Sequence, residues 1–223
     1  MIPMRLLFDL DGTLLDTAPD LHGALNFCLT SLGRPTVSLQ SVKHMVGQGA
    51  RVLLEKGLTA TGGMTSEAEL DRLFDLFLDY YADHLSDHSV AFPGMIKALE
   101  ELQAQGFQMG ICTNKPYKLA KQIAEDFDLI RLLPIITGGD SFEIRKPNPG
   151  HILKTLELFE GDDLPALMIG DSCNDIDAAT GAGLKSIAVS FGYTHIPPRE
   201  LGANRVIDHF DELIDAIKKV SAA

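Results

Sequence analysis

Apolar residues along the chain follow two rhythms. Short runs, apolar nearly throughout, occupy residues 5–10, 108–112, 134–137, 166–169, 186–190 and 205–207. Such runs suit strands of a parallel sheet covered on both faces, where neither side of the pleat meets water. Between them, apolar positions recur at helical spacing. Ile96, Leu99 and Leu102 form one stripe within 95–105, and Leu213, Ile214 and Ile217 form another within 212–220. Gly106 stands where the first of these helices must stop. From about residue 92 to the C-terminus, strand and helix alternate. That alternation predicts an α/β fold with a doubly wound, mainly parallel, Rossmann-like sheet.

Residues 17–91 break the alternation. Their patterns are helical over 20–32, 38–46, 50–58 and 66–85, with turns at 33–35 and 62–63, and no segment reads as a strand. A stretch of this length between one strand and the next is too long for a loop. It is expected to form a small all-helical cap domain inserted into a catalytic core of residues 1–16 and 92–223. The hinges would lie near 17–19 and 91–94.

Composition narrows the class. Of 223 residues, 45% are hydrophobic and 22% charged, enough for a packed core and unlike a disordered chain. Lys and Arg total 19 against 31 Asp and Glu, a formal charge of −12. That charge repels nucleic-acid backbones and anionic membranes, so neither is an expected partner. No apolar run approaches the roughly eighteen residues of a membrane span, and the first residues lack the pattern of a secretory signal. Cys28, Cys112 and Cys173 show neither metal-ligand nor redox spacing, which favours free thiols in a reducing compartment. The expectation is a cytoplasmic monomer or homodimer.

The chemistry sits at the ends of the apolar runs. The first ends in Phe8-Asp9-Leu10-Asp11-Gly12-Thr13. Ligand sites of open α/β sheets lie beyond the carboxyl ends of strands, and residues two apart in a strand point the same way. Asp9 and Asp11 are therefore on one side, where one carboxylate could act as nucleophile or metal ligand and the other as proton donor and acceptor. An isolated Asp-x-Asp is more often a solvated strand end; the full string from Asp9 to Thr17 shifts that balance. A second acidic set, Gly170-Asp171-Ser172-Cys173-Asn174-Asp175, follows the run 166–169. Few carboxylates, with water completing the shell, are what Mg²⁺ prefers, although either acid alone also reads as a helix cap. Thr113 and Asn114 end the run 108–112 and offer donors to phosphate oxygens. Lys146, between Arg145 and Pro147, could offset charge on a phosphoryl group, but singly each of these pieces also reads as an ordinary turn or solvated lysine.

Taken in order, Asp9–Thr13, Thr113, Lys146 and Gly170–Asp175 resemble the haloacid dehalogenase superfamily in its phosphatase branch, and the helical insertion resembles that superfamily's first type of cap. The resemblance implies that Asp9 attacks phosphorus to form an aspartyl-phosphate and that Asp11 protonates the leaving oxygen, then activates water. It implies Mg²⁺ held by Asp9, the Asp11 carbonyl and Asp171 with support from Asp175, and the phosphoryl group held by Thr113 and Lys146 with Asn114 nearby. The substrate would be a small phosphorylated metabolite. Attack of one anion on another needs a cation between them, and an alkoxide leaves only when protonated, which favours a phosphatase over a dehalogenase.

For the substrate, the stretch from His44 to Leu54 is informative. Gly47-Gln48-Gly49 opens a helix and offers backbone donors, and Arg51 in its first turn could fork to a carboxylate; a glycine-rich turn beside a surface arginine is the alternative. The stretch is similar to the corresponding loop of phosphoglycolate phosphatases, which implies 2-phosphoglycolate as substrate. Sugar phosphates such as N-acetylmuramic acid 6-phosphate, or pyrophosphate, remain alternatives. A non-catalytic binding protein of the same fold is a further one, disfavoured by the presence of Asp9, Asp11 and Asp171. Residues 191–195, past a strand end, are a further candidate to line the site, although a histidine there is more often a loop residue than a ligand.

Overall fold

The apolar runs pair as one six-stranded, all-parallel sheet in the computed structural model, which describes residues 3–161 and 164–222. Its strands in chain order are β1 (Arg5–Phe8), β4 (Gln108–Cys112), β5 (Ile135–Thr137), β6 (Ala166–Gly170), β7 (Lys185–Val189) and β8 (Arg205–Ile207), and two further short strands, β2 (Leu15–Asp16) and β3 (Val90–Ala91), pair separately. The sheet order is β5-β4-β1-β6-β7-β8. The chain thus fills one side of β1, crosses over, and fills the other, which is the doubly wound arrangement the pattern predicts. Phe8 lies level with Ile111 of β4 and Ile169 of β6. All four residues of β1 are buried, as expected for a central strand covered on both faces.

Helices α1 (Ala18–Ser31), α2 (Leu39–Lys43), α3 (Ala50–Ala60) and α4 (Glu67–Asp83) lie between β2 and β3. Helices α5 (Met95–Ala104), α6 (Tyr117–Asp126), α7 (Pro149–Leu156), α8 (Cys173–Gly181) and α9 (Leu213–Ala222) alternate with the strands of the main sheet. Gly106, with φ +85°, follows α5 as the sequence implies. Leu25 and Leu29 of α1, Val42 of α2, Leu53 and Leu54 of α3, and Leu73 and Phe77 of α4 pack the first four helices together, and their cluster is continuous with Phe8, Leu10 and Leu14 of the sheet end.

Two features depart from the sequence reading. The strands β2 and β3 pair antiparallel, Leu15 with Ala91 and Asp16 with Val90, so a short ribbon joins the entry and exit of the helical insertion. Helix α2 is five residues long rather than spanning 38–46; residues 44–47 form a turn, and Gly47 (φ +109°) and Gly49 (φ +92°) lead the chain into α3. The three cysteines are free thiols, Cys28 and Cys112 buried. Among the described residues no helix is long and apolar enough to cross a membrane.

Candidate active site

Three adjacent strands deliver the chemistry to one place. Since Phe8, Ile111 and Ile169 share a level, Asp9 lies one residue beyond it and Thr113 and Asp171 two, all past the carboxyl ends of their strands. The Asp9 amide donates to the Ile169 carbonyl at 2.9 Å and the Thr113 amide to the Thr137 carbonyl at 3.0 Å, which fixes both residues to the sheet. Gly12, at φ +88°, turns the chain away; a Cβ there would overlap the Asp171 carboxylate, and one on Gly192 would overlap Asp171 Cβ. The glycines let three chain segments close around one carboxylate.

Asp9, Asp171 and Asp175 are all buried, and one oxygen from each lies within 4.8 Å of the others. Lys146 Nζ sits 2.6 Å from Asp175 Oδ1, 3.0 Å from Asp9 Oδ1 and 2.5 Å from the Cys112 carbonyl. Its contact with Asp9 is an ion pair out of hydrogen-bond direction, so Asp9 Oδ1 has no donor. Burial, the largest influence, pushes the Asp9 pKa up to about 6; Lys146 pulls it down, while Asp175 and Asp11 add to the rise. Burial, Asp175 and Asp9 likewise hold Asp171 well above the ordinary carboxylate range. Burial opposes the charge on Lys146, but Asp175 and Asp9 outweigh it and raise the lysine pKa. Too little positive charge faces these acids. Hard oxygen donors, one of them unpartnered, fit a divalent cation. Asp175 has both oxygens engaged, Oδ1 by Lys146 and Oδ2 by the Ser172 amide (3.0 Å) and hydroxyl (2.7 Å) in a capping box at the start of α8. Asp9 and Asp171 retain free lone pairs, so Asp175 is suited to hold Lys146 and steady the set.

The helical insertion covers this centre. A cavity of about 30 Å³ is lined by Asp9, Asp11, Thr113 and Lys115 from the sheet side, and by Gly49, Leu53 and Tyr81 from the helices, among others. Such a volume matches about one water, so the helices lie shut over the acids. The Gly47 carbonyl accepts from the side-chain amides of both Asn114 and Asn174, each at 3.1 Å, and this pins the α2–α3 turn to the sheet. Asp11 Oδ1 accepts from the Thr17 hydroxyl at 2.7 Å and from Lys115 Nζ at 3.1 Å.

Asp9, Asp11, Thr113, Asn114, Gly47 and Gly49 therefore meet at one cavity, with Lys146, Asp171 and Asp175 immediately behind. Two expectations meet a different geometry. Asn114 has spent its amide donors on the Gly47 and Lys146 carbonyls, leaving its oxygen unpartnered, so it offers no donor to phosphate. Arg51 does not line the cavity; its guanidinium pairs with Asp71 (2.7 Å) and Glu67 (2.5 Å) of the α4 region, because the first turn of α3 presents it to acids across the helix pair. Lys115, Tyr81 and Tyr193 make contacts at the site that the sequence did not define. Lys115 contacts Asp11 and, at 2.5 Å, the Tyr81 hydroxyl. Tyr193 donates its amide to Asp171 Oδ2 at 2.6 Å, while its hydroxyl donates to Asp16 and accepts from the Ala18 amide. A lysine at a strand end in a chain of net charge −12 is the signal that could have found Lys115.

A family model described as haloacid dehalogenase-like hydrolase matches residues 6–189. The chain is 41% identical to a phosphoglycolate phosphatase of Agrobacterium fabrum, over 95% of this chain and 91% of that protein. It is 42% identical to one of Mesorhizobium japonicum, over 93% and 92%. A crystal structure of a predicted phosphoglycolate phosphatase from Haemophilus somnus superposes with a TM-score of 0.90 at 30% identity, covering 96% of this chain and 98% of that one.

Proposed function

The chain belongs to the haloacid dehalogenase-like hydrolase family and is a phosphatase; from that premise we propose that it hydrolyses 2-phosphoglycolate to glycolate and phosphate, with Mg²⁺, through an aspartyl-phosphate on Asp9. The observation that carries the chemistry is the buried Asp9 carboxylate, whose Oδ1 has no hydrogen-bond donor, at a strand end beside Lys146 and Asp171.

An Asp9 oxygen attacks phosphorus as the ester P–O bond breaks, and Asp11 passes its proton to the departing oxygen. Asp11 then takes a proton from water, the water oxygen attacks the aspartyl-phosphate, and phosphate leaves with Asp9 restored. Asp11 is held for both steps by the Thr17 hydroxyl and Lys115. Thr113 and Lys146 face the transferred phosphoryl group, the lysine steadied by Asp175. Bound between Asp9 and Asp171, Mg²⁺ would supply positive charge against the approaching phosphate. Residues 17–91 act as a cap that parts to admit substrate and shuts to exclude bulk water, and the small cavity beneath them supports this reading. The names of the relatives and the cramped, partly cationic cavity support a short substrate with a second anionic group.

Phosphate release is to be measured from 2-phosphoglycolate, N-acetylmuramic acid 6-phosphate, hexose phosphates and pyrophosphate, with Mg²⁺ and with EDTA. The expected result is Mg²⁺-dependent release with 2-phosphoglycolate the preferred substrate. Preference for a sugar phosphate or pyrophosphate would overturn the substrate while leaving the chemistry.

A further inference from the structure

Lys115 is a buried cation that lines the cavity over the reacting carboxylates. Its side chain follows Thr113 and Asn114 at the end of β4 and lines the cavity over Asp9 and Asp11. Among the described residues its one anionic partner is Asp11, at 3.1 Å to Oδ1 and 3.5 Å to Oδ2, and its other acceptor is the Tyr81 hydroxyl, at 2.5 Å. An ammonium has three donors, and the longest of these contacts, 3.5 Å to Asp11 Oδ2, is the one a ligand in the cavity can displace. Lys146 differs in place: it does not line the cavity, and its ammonium is engaged behind it by Asp175, the Cys112 carbonyl and the charge of Asp9.

A second feature faces the same space. Gly49 and Ala50, at the start of α3, line the cavity, and no side chain caps that helix. The first amides of a helix lack intrahelical acceptors and carry its positive end. Gly49 also abuts the Asn114 carbonyl, which brings this helix start against the segment that carries Lys115. Arg51, the cation the sequence offers for a carboxylate, is instead tied to Asp71 and Glu67.

We propose that Lys115, with the open first turn of α3, binds the second anionic group of the substrate, a carboxylate close to the phosphate ester, and so sets specificity from the sheet side of the cavity. This rests on the reading of the chain as a phosphatase for a small carboxylate-bearing phosphate ester. In the substrate-free site Asp11 and Tyr81 hold the ammonium; a bound carboxylate replaces the long contact to Asp11 Oδ2, and the Tyr81 ring, 4.3 Å from Nζ, keeps the lysine in place.

The test compares 2-phosphoglycolate with 2-hydroxyethyl phosphate, a neutral ester of the same length, in the wild type, Lys115→Met and Lys115→Arg, each with Mg²⁺. The wild type should prefer the carboxylate ester. Lys115→Met should lose about 10- to 100-fold in kcat/KM on 2-phosphoglycolate, mainly through KM, and several-fold less on the neutral ester. Lys115→Arg should keep part of the preference, and it serves as the readout if circular dichroism shows the Met variant unfolded. An equal loss on both substrates in Lys115→Met, or no preference retained by a folded Lys115→Arg, would mean that the lysine acts only through Asp11 and would overturn the proposal alone. A wild type that hydrolyses both esters equally would instead remove the carboxylate-bearing substrate, and the proposal with it.

Discussion

Asp9 carries its charge where the surroundings oppose it. Burial raises its pKa from an ordinary 3.8 to about 6, and of the neighbouring groups Lys146 alone works strongly the other way. An acid whose pKa is higher in the folded state binds its proton more tightly there, so native stability falls as pH climbs through this window and stays reduced above it. With no divalent cation present, Asp9→Asn removes that liability. In EDTA at pH 7.5 the variant should be more stable than wild type by about 1–3 kcal/mol, with the gap closing below pH ~4. Its phosphatase turnover should be abolished. Urea denaturation at the two pH values is the check, and a variant less stable at pH 7.5 would mean that Lys146 more than compensates the charge. At this scale, Asp9, Asp11, Thr113, Lys146, Asp171 and Asp175 are legible in the sequence because each ends an apolar run or stands in a spaced motif. Lys115 is not legible as a binding group, since its direction depends on Tyr81, 34 positions away. Arg51 misleads for the converse reason: spacing places it beside a glycine turn but does not reveal the acids of α4 that claim it.

Among elements, the two ends of the helical insertion are tied to each other by hydrogen bonds. Asp20, in the first turn of α1, accepts from the His88 amide at 3.0 Å, the Ser89 amide at 2.8 Å and the Ser89 hydroxyl at 2.6 Å. It ties the first helix to the chain entering β3, directly beside the β2–β3 ribbon. Asp20→Ala would leave buried donors without an acceptor and should cost about 2–4 kcal/mol, while Asp20→Asn, which keeps one acceptor oxygen, should cost less. Chemical denaturation measures both; a loss below about 0.5 kcal/mol in the Ala variant would show the join held by packing alone. Helices α1, α3 and α4 are readable from periodicity because each buries a stripe led by Leu, whereas five-residue α2 buries Val42 alone. The ribbon is not readable, because two-residue strands contain no period and their register is set by where the helices return the chain. The α2–α3 turn is half readable: its glycines announce a turn, but not that Asn114 and Asn174 would both seize the Gly47 carbonyl.

For the molecule as a whole, the acidic centre and the helical insertion share one strut. Tyr193, in the loop after β7, donates its amide to Asp171 and its hydroxyl to Asp16 of β2, and accepts from the Ala18 amide at the start of α1. A divalent cation drawn to Asp9 and Asp171 would steady Asp171, and through Tyr193 the entry to the helices. Binding to the native state alone adds about 2.7 kcal/mol when the cation is present at 100 times its Kd, visible as a rise in Tm. The same cation should slow hydrogen exchange of the amides at 44–51, which open when the helices part from the sheet. Tyr193→Phe keeps the amide to Asp171 and loses the hydroxyl. It should therefore retain most of the Tm rise and lose most of the added exchange protection at 44–51. Protection that persisted in the variant would place the coupling elsewhere, at the Gly47 turn, where Asn174 of α8 reaches the insertion directly.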